Sequence, residues 1–188
     1  MDREKLTRRL LKALRKGRLI EIARDGMEPA RITGFVTALG DAHVLLSPLD
    51  RGFEPDGYVA LRLKDLTSAR LLEPERSAAA RVVSTRGTKA PATPPVVLCE
   101  EGGPCDSLAR LGGVVTVYMD RRDPGFAYHG RIVGTGPQIV HLRRLDGAAR
   151  WGETETLRAK WLTRIEFQGA TQRALALVAG EPPAEDGE

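Results

Sequence analysis

The sequence predicts a mainly β fold: two tandem, small, five-stranded, strongly bent antiparallel barrels, each preceded by a short helix. Three observations predict it. The chain resembles itself at a nearly fixed spacing, its apolar residues fall in short alternating runs parted by turn residues, and a glycine sits inside the second run of each half. Moving residues 31–70 by 96 places onto 127–166 matches eleven of forty positions without a gap, among them Gly34/Gly130, Gly40/Gly136, Asp50/Asp146, Arg62/Arg158 and Lys64/Lys160. A shift of 95 lays Ala13–Ile22 on Leu108–Val117, with Arg15/Arg110 and Gly17/Gly112 paired. One slipped residue joins the two alignments, and an order kept over this length reads as duplication.

Each element has a local reason. Leu6, Leu10 and Leu14 recur every four residues along one face of a helix whose other positions carry Arg8, Arg9, Lys12, Arg15 and Lys16, and Gly17 is placed to end it. Ile20 and Ile22 alternate with Glu21 and Ala23 until the turn residues Asp25-Gly26 and Pro29. Residues 30–39 and 42–48 are rich in β-branched and apolar types, and Gly40-Asp41 between them reads as a hairpin turn. Gly34 within the second strand marks a bend or bulge, the device that curls a small sheet. A polar loop leads to the alternating run Tyr58–Lys64, and Leu66–Leu72 supplies a fifth strand. The second half repeats this with strands near 113–119, 125–134, 137–144, 154–161 and 162–168, followed by a helical segment from Ala170 to Ala179. The boundaries that follow are 1–73 for the first unit, 74–95 for a solvated linker without periodicity, 96–180 for the second unit, and 181–188 for an acidic, disordered tail.

The segment Gly34–Leu46, G-F-V-T-A-L-G-D-A-H-V-L-L, with its bend glycine, alternating apolar residues and turn aspartate Asp41, resembles the first motif of the Sm-like family. That resemblance implies a short N-terminal helix ahead of a five-stranded bent barrel, an order of elements shared with other SH3-like barrels, including the C-terminal barrel of ribosome-maturation factors. The asparagine with which Sm-like proteins hold a base in the pore of their ring is not kept. Val44 or its neighbour His43 stands there in the first half, and Val140 or Ile139 in the second.

Composition narrows the function. No apolar run approaches the ~20 residues of a membrane helix, and the charged start leads into an amphipathic pattern, so a cytoplasmic, non-membrane protein is expected. The net charge is +4, and 23 of the 29 basic residues are arginine, a bias that suits a GC-rich genome as well as polyanion binding. His43, His129 and His141 lie on strands with no nucleophile motif beside them, and Asp50 and Asp146 stand where a side chain caps a turn. Cys99 and Cys105, spaced C-x5-C, could hold a metal with His129, but structural zinc sites use closer pairs and four evident ligands. No phosphate loop or dinucleotide fingerprint is present. The reading is a non-enzyme without cofactor or metal.

What remains is binding. Arg62 and Lys64 alternate with Leu61 and Leu63, so with the leucines in the core both cations should leave on one face, and Arg158 and Lys160 repeat the arrangement. Arg8, Arg9 and Lys12 on the first helix and the pair Arg143-Arg144 add to the basic set. Aromatic residues make up 5% of the chain, which favours sequence-tolerant contact with the phosphates of RNA or another polyanion over base stacking. Trp161, standing where the first half has Asp65, is the candidate anchor for the other class of function, a protein-interaction or scaffold module with the two barrels packed as a pseudo-dimer.

Overall fold

The computed structural model describes residues 2–98 and 103–183. Helix α1 spans Arg3–Lys16; Asp2 caps its start by accepting from the Glu4 N–H, and Gly17, with φ +56°, ends it. Its apolar face buries Leu6, Leu10 and Ala13. Strands β1 (Leu19–Ala23), β2 (Arg31–Leu39), β3 (His43–Pro48), β4 (Tyr58–Arg62) and β5 (Ser68–Leu71) follow, with a 3-10 turn at Leu63–Asp65 between the last two. Helices α2 (Ala78–Arg86) and α3 (Pro104–Leu111) lead to β6 (Val115–Tyr118), β7 (Ala127–Gly136), β8 (Ile139–Leu145), β9 (Trp151–Arg158), a second 3-10 turn at Ala159–Trp161, β10 (Arg164–Phe167) and helix α4 (Ala170–Ala179).

The fold is mainly β, but its strands form one antiparallel sheet in the order β5-β1-β2-β3-β4-β10-β6-β7-β8-β9. The sheet is open: β5 and β9 are its edges, and no pairing among the described residues closes it into a barrel. Pairing registers recur between the halves. His43↔Arg62 through Leu46↔Val59 become Ile139↔Arg158 through Leu142↔Glu155, and the bulge between Val36 and Ala38 returns between Ile132 and Gly134. Ala23↔Arg31 corresponds to Tyr118↔Ala127, so the slipped residue falls in the loop between the first two strands of each half.

The bend glycines have matching reasons. A Cβ on Gly34 would lie 2.2 Å from the Ser47 carbonyl oxygen, and one on Gly130 would lie 2.1 Å from that of Arg143. Only a residue without a side chain lets the paired strand come so close.

Three apolar clusters hold the sheet. Helix α1 closes the first over Ile20, Ile22, Val36, Val44 and Leu61. The second, under α3, contains Val117, Ile132, Leu142, Leu157 and Phe167 and extends across the junction to Leu45 and Ala60 of the first half. The third corrects the linker reading. Within 74–95, Ser77 caps α2, Gly87 ends it at φ +67°, and Ala80 and Val83 are buried against Leu19, Phe35 and Leu72. The tail is also placed as far as residue 183, with Glu181 paired to Arg131 and the Pro183 carbonyl accepting from Arg143; residues 184–188 lie outside the described residues. No helix is long and apolar enough to cross a membrane.

The halves are joined by β4 and β10, registered from Tyr58↔Phe167 to Leu61↔Arg164. Beside this ladder, Arg24, wholly buried, forms a salt bridge with Asp120. The Thr163 hydroxyl donates to the same carboxylate at 2.6 Å and accepts from the Asp120 N–H at 3.1 Å. Removing one partner of such a pair strands the other charge in a low-dielectric site, at a cost of about 3–5 kcal/mol. Asp120→Ala is therefore expected to lower the unfolding free energy by about that amount in urea titrations, and Arg24→Met added to it should restore most of the loss. A drop below about 1 kcal/mol would show that the pair is not desolvated as the structure has it.

Candidate nucleic-acid interface

The pairing of β4 with β10 sets the two 3-10 turns side by side, and one arginine links them. Arg62, predicted to leave the sheet with Lys64, is buried instead. Its Nε donates to Asp65 Oδ2 at 2.5 Å and its Nη1 to the Lys160 carbonyl at 2.5 Å. The other oxygen of Asp65 accepts from Arg121 at 3.0 Å. The alternation fails here because both faces of β4 are buried, Val59 and Leu61 in the first core and Ala60 in the second, and the strand ends at Arg62.

Held in this way, the turns expose Lys64 and Lys160 at one cleft of about 320 Å³, lined also by Arg3, Ala42, His43, Arg62 and Ala159. Among the described residues no carboxylate-bearing residue lines it. Arg3, the first residue of α1, reaches the β2–β3 turn and donates to the Asp41 carbonyl at 3.4 Å. Burial, and after it the charges of Arg62 and Lys64, lower the His43 pKa from its ordinary value, which favours a neutral ring.

Of the sequence-predicted cations, Lys64 and Lys160 meet at this cleft, with Arg62 behind them. The others are elsewhere. Arg8 pairs with Glu4 at 2.8 Å, Arg9 donates to the Ala69 carbonyl at 2.7 Å, and Lys12 is exposed farther along α1. Arg143 donates to the Pro183 carbonyl, while Arg144 pairs with Glu155 at 2.7 Å and lies over the Tyr128 ring. Trp161 is partly buried against the second core and covered by two guanidinium groups, Arg122 at 4.0 Å and Arg158 at 5.7 Å from its ring centre. Those contacts occupy the ring as cation–π partners. Sequence reasoning missed Arg3, which precedes the apolar helical pattern, and set His43 aside as an ordinary strand residue.

The remaining candidates have structural partners. Asp50 accepts from the Glu54 N–H, and Asp146 from the N–H groups of Ala148 and Arg150, which pull its pKa down. His129 and His141 each bond a threonine hydroxyl, Thr116 and Thr156. Among the described residues no group of three or more His, Cys, Asp or Glu could hold a metal ion. Cys99 lies outside the described residues. Cys105 is buried in the first turn of α3, and burial pushes its thiol up to about 12. It is thus a protonated thiol at neutral pH, and iodoacetamide at pH 8 is expected to label it only after denaturant is added, as read by peptide mass mapping. Labelling of native protein at the unfolded rate would contradict this burial. Comparison with family models, with curated proteins and with solved structures found nothing that matches this chain.

Proposed function

We propose that this is a non-enzymatic binding protein that takes the sugar–phosphate backbone of RNA along the cleft between its two 3-10 turns, and that each five-stranded half is an Sm-like, SH3-like unit descended from one duplicated ancestor. The observation that carries the reading is the meeting of Lys64 and Lys160. They occupy equivalent positions in the two halves, and both border a cleft whose lining holds Arg3 and, among the described residues, no carboxylate-bearing residue. Exposed lysines release counterions on meeting phosphates, and a site with two such residues favours a ligand whose charges repeat along its length. The absence of the pore asparagine and the scarcity of aromatic residues support backbone contact over base readout.

Fluorescence anisotropy of labelled single-stranded RNA at low and moderate salt tests it. Lys64→Glu/Lys160→Glu is expected to weaken binding by at least about tenfold. Its slope of log affinity against log salt should fall by roughly 1.4, at about 0.7 per lost single-strand phosphate contact. The same change of charge at Arg51→Glu/Lys89→Glu, exposed residues outside the cleft, should leave affinity nearly unchanged. Equal losses in both double variants, or no binding at low salt, would overturn the proposal.

A further inference from the structure

A second, smaller cavity of about 80 Å³ lies in the junction and shares His43, Arg62 and Ala159 with the cleft. Arg164 lines it from β10. That side chain is 8% exposed; its Nη1 meets Glu166 at 3.0 Å, its guanidinium lies 3.4 Å from the Tyr118 ring centre, and its Nε has no partner. His43 Nδ1 is buried and likewise without a partner. The start of α3 lines it too. Its N-cap is Gly103, which offers no side-chain oxygen, Pro104 in its first turn has no N–H, and among the described residues no side chain caps the helix, whose first backbone donor is that of Cys105.

These features have one sign. Among the described residues the lining contains two guanidinium groups, an imidazole and a helix N-terminus, and no carboxylate-bearing residue. Among the described residues the buried guanidinium groups of the junction are Arg24, Arg62 and Arg164 and the buried carboxylates are Asp65 and Asp120, with the half-buried Glu166 on Arg164. A buried donor without an acceptor costs free energy, and so does an excess of buried charge; an anion in this space would relieve both. The helix dipole adds to the attraction.

We propose that this cavity is an oxyanion site that binds one phosphate group, with Arg164 Nε, Arg62, His43 and the first free N–H of α3 as its donors. It has room for a tetrahedral oxyanion and not for a nucleoside. The phosphate comes either from the backbone of a strand lying in the adjoining cleft or from a free phosphate ion. The inference does not depend on the RNA reading, since only a phosphate is required. Among the donor types here only an imidazole ordinarily changes charge between about pH 5 and 8. Burial and the charges of Arg62 and Lys64 lower the His43 pKa, Asp65 opposes them, and Cys105 of α3 lines the same space. A bound anion stabilises its protonated form, so binding takes up a proton and strengthens as pH falls.

The full chain is titrated with sodium sulfate, and in parallel with inorganic phosphate, at constant ionic strength, while the His43 ring is followed by NMR. Sulfate does not titrate in the range used, so its pH dependence reports the protein alone. One saturable site is expected, with the His43 pKa raised when it fills. Arg164→Gln should weaken sulfate binding at least about tenfold. Because Arg164 also packs on Tyr118, His43→Gln provides an independent arm. It should bind sulfate with an affinity that no longer changes between pH 5.5 and 8, a flat profile being about the behaviour of a site without its titrating donor. If sulfate competes with labelled RNA and RNA moves the His43 resonance, the occupant is a backbone phosphate. If sulfate and phosphate bind while RNA leaves His43 unmoved, the occupant is the free ion. No saturable site, or sulfate binding unaltered in both variants, overturns the proposal.

Discussion

The pairing of β4 with β10 is the constraint on which the rest of the structure depends. It converts two five-stranded sets into one sheet, buries Leu45 and Ala60 of the first half in the core of the second, and brings together two turns that are far apart in sequence. The ladder spans only four residue pairs, so main-chain hydrogen bonds alone would hold it weakly. The charged groups around it fix its geometry. A buried pair such as Arg24 with Asp120 contributes little net stability compared with an apolar replacement, because desolvation offsets attraction. It does punish every other arrangement, since a shifted register would leave each charge buried alone.

This explains an arginine content that charge counting misreads. Arg24, Arg62 and Arg164 are buried and serve the junction, Arg18 is tied to Glu73 and the Leu72 carbonyl, and Arg9 holds a carbonyl of β5. The guanidinium fork suits such places, where several oxygens at fixed angles must be met at once. Of the far fewer lysines, Lys64 and Lys160 border the cleft. The chain's basicity is thus partly interior architecture and only partly a surface for ligands.

Local patterning made most strands legible. Alternation and turn residues placed all ten to within a few residues, and the change of spacing from 95 to 96 located a loop that differs in length by one. The junction was not legible, because the pairing of two edges distant in the chain leaves no periodic signal in either. Arg62 was misplaced for the same reason: the rule that alternate residues face solvent assumes a strand with one wet face. Helix α2 escaped notice since alanine, serine, threonine and arginine give no apolar stripe, although Ser77 before it and Gly87 after it are proper boundary signals. Of the site, the cations at Lys64 and Lys160 could be read; Arg3 and His43 could not, because turns and a helix start bring them in from separate elements.

At the rim of the junction, Gly57 and Gly169 touch so closely that a Cβ on Gly57 would stand 2.3 Å from the Gly169 nitrogen. An unlike-edge junction has no built-in stop: with two open edges of the same two kinds, it could in principle be repeated from molecule to molecule into rings or fibres. At the outer edges, however, the positions equivalent to the two glycines are Glu153 within β9 and Glu73 just after β5. Copying the junction between molecules would press one glutamate onto another where there is no space for a methyl group. At these two positions like charge and bulk both oppose extension of the sheet by a copy of this junction.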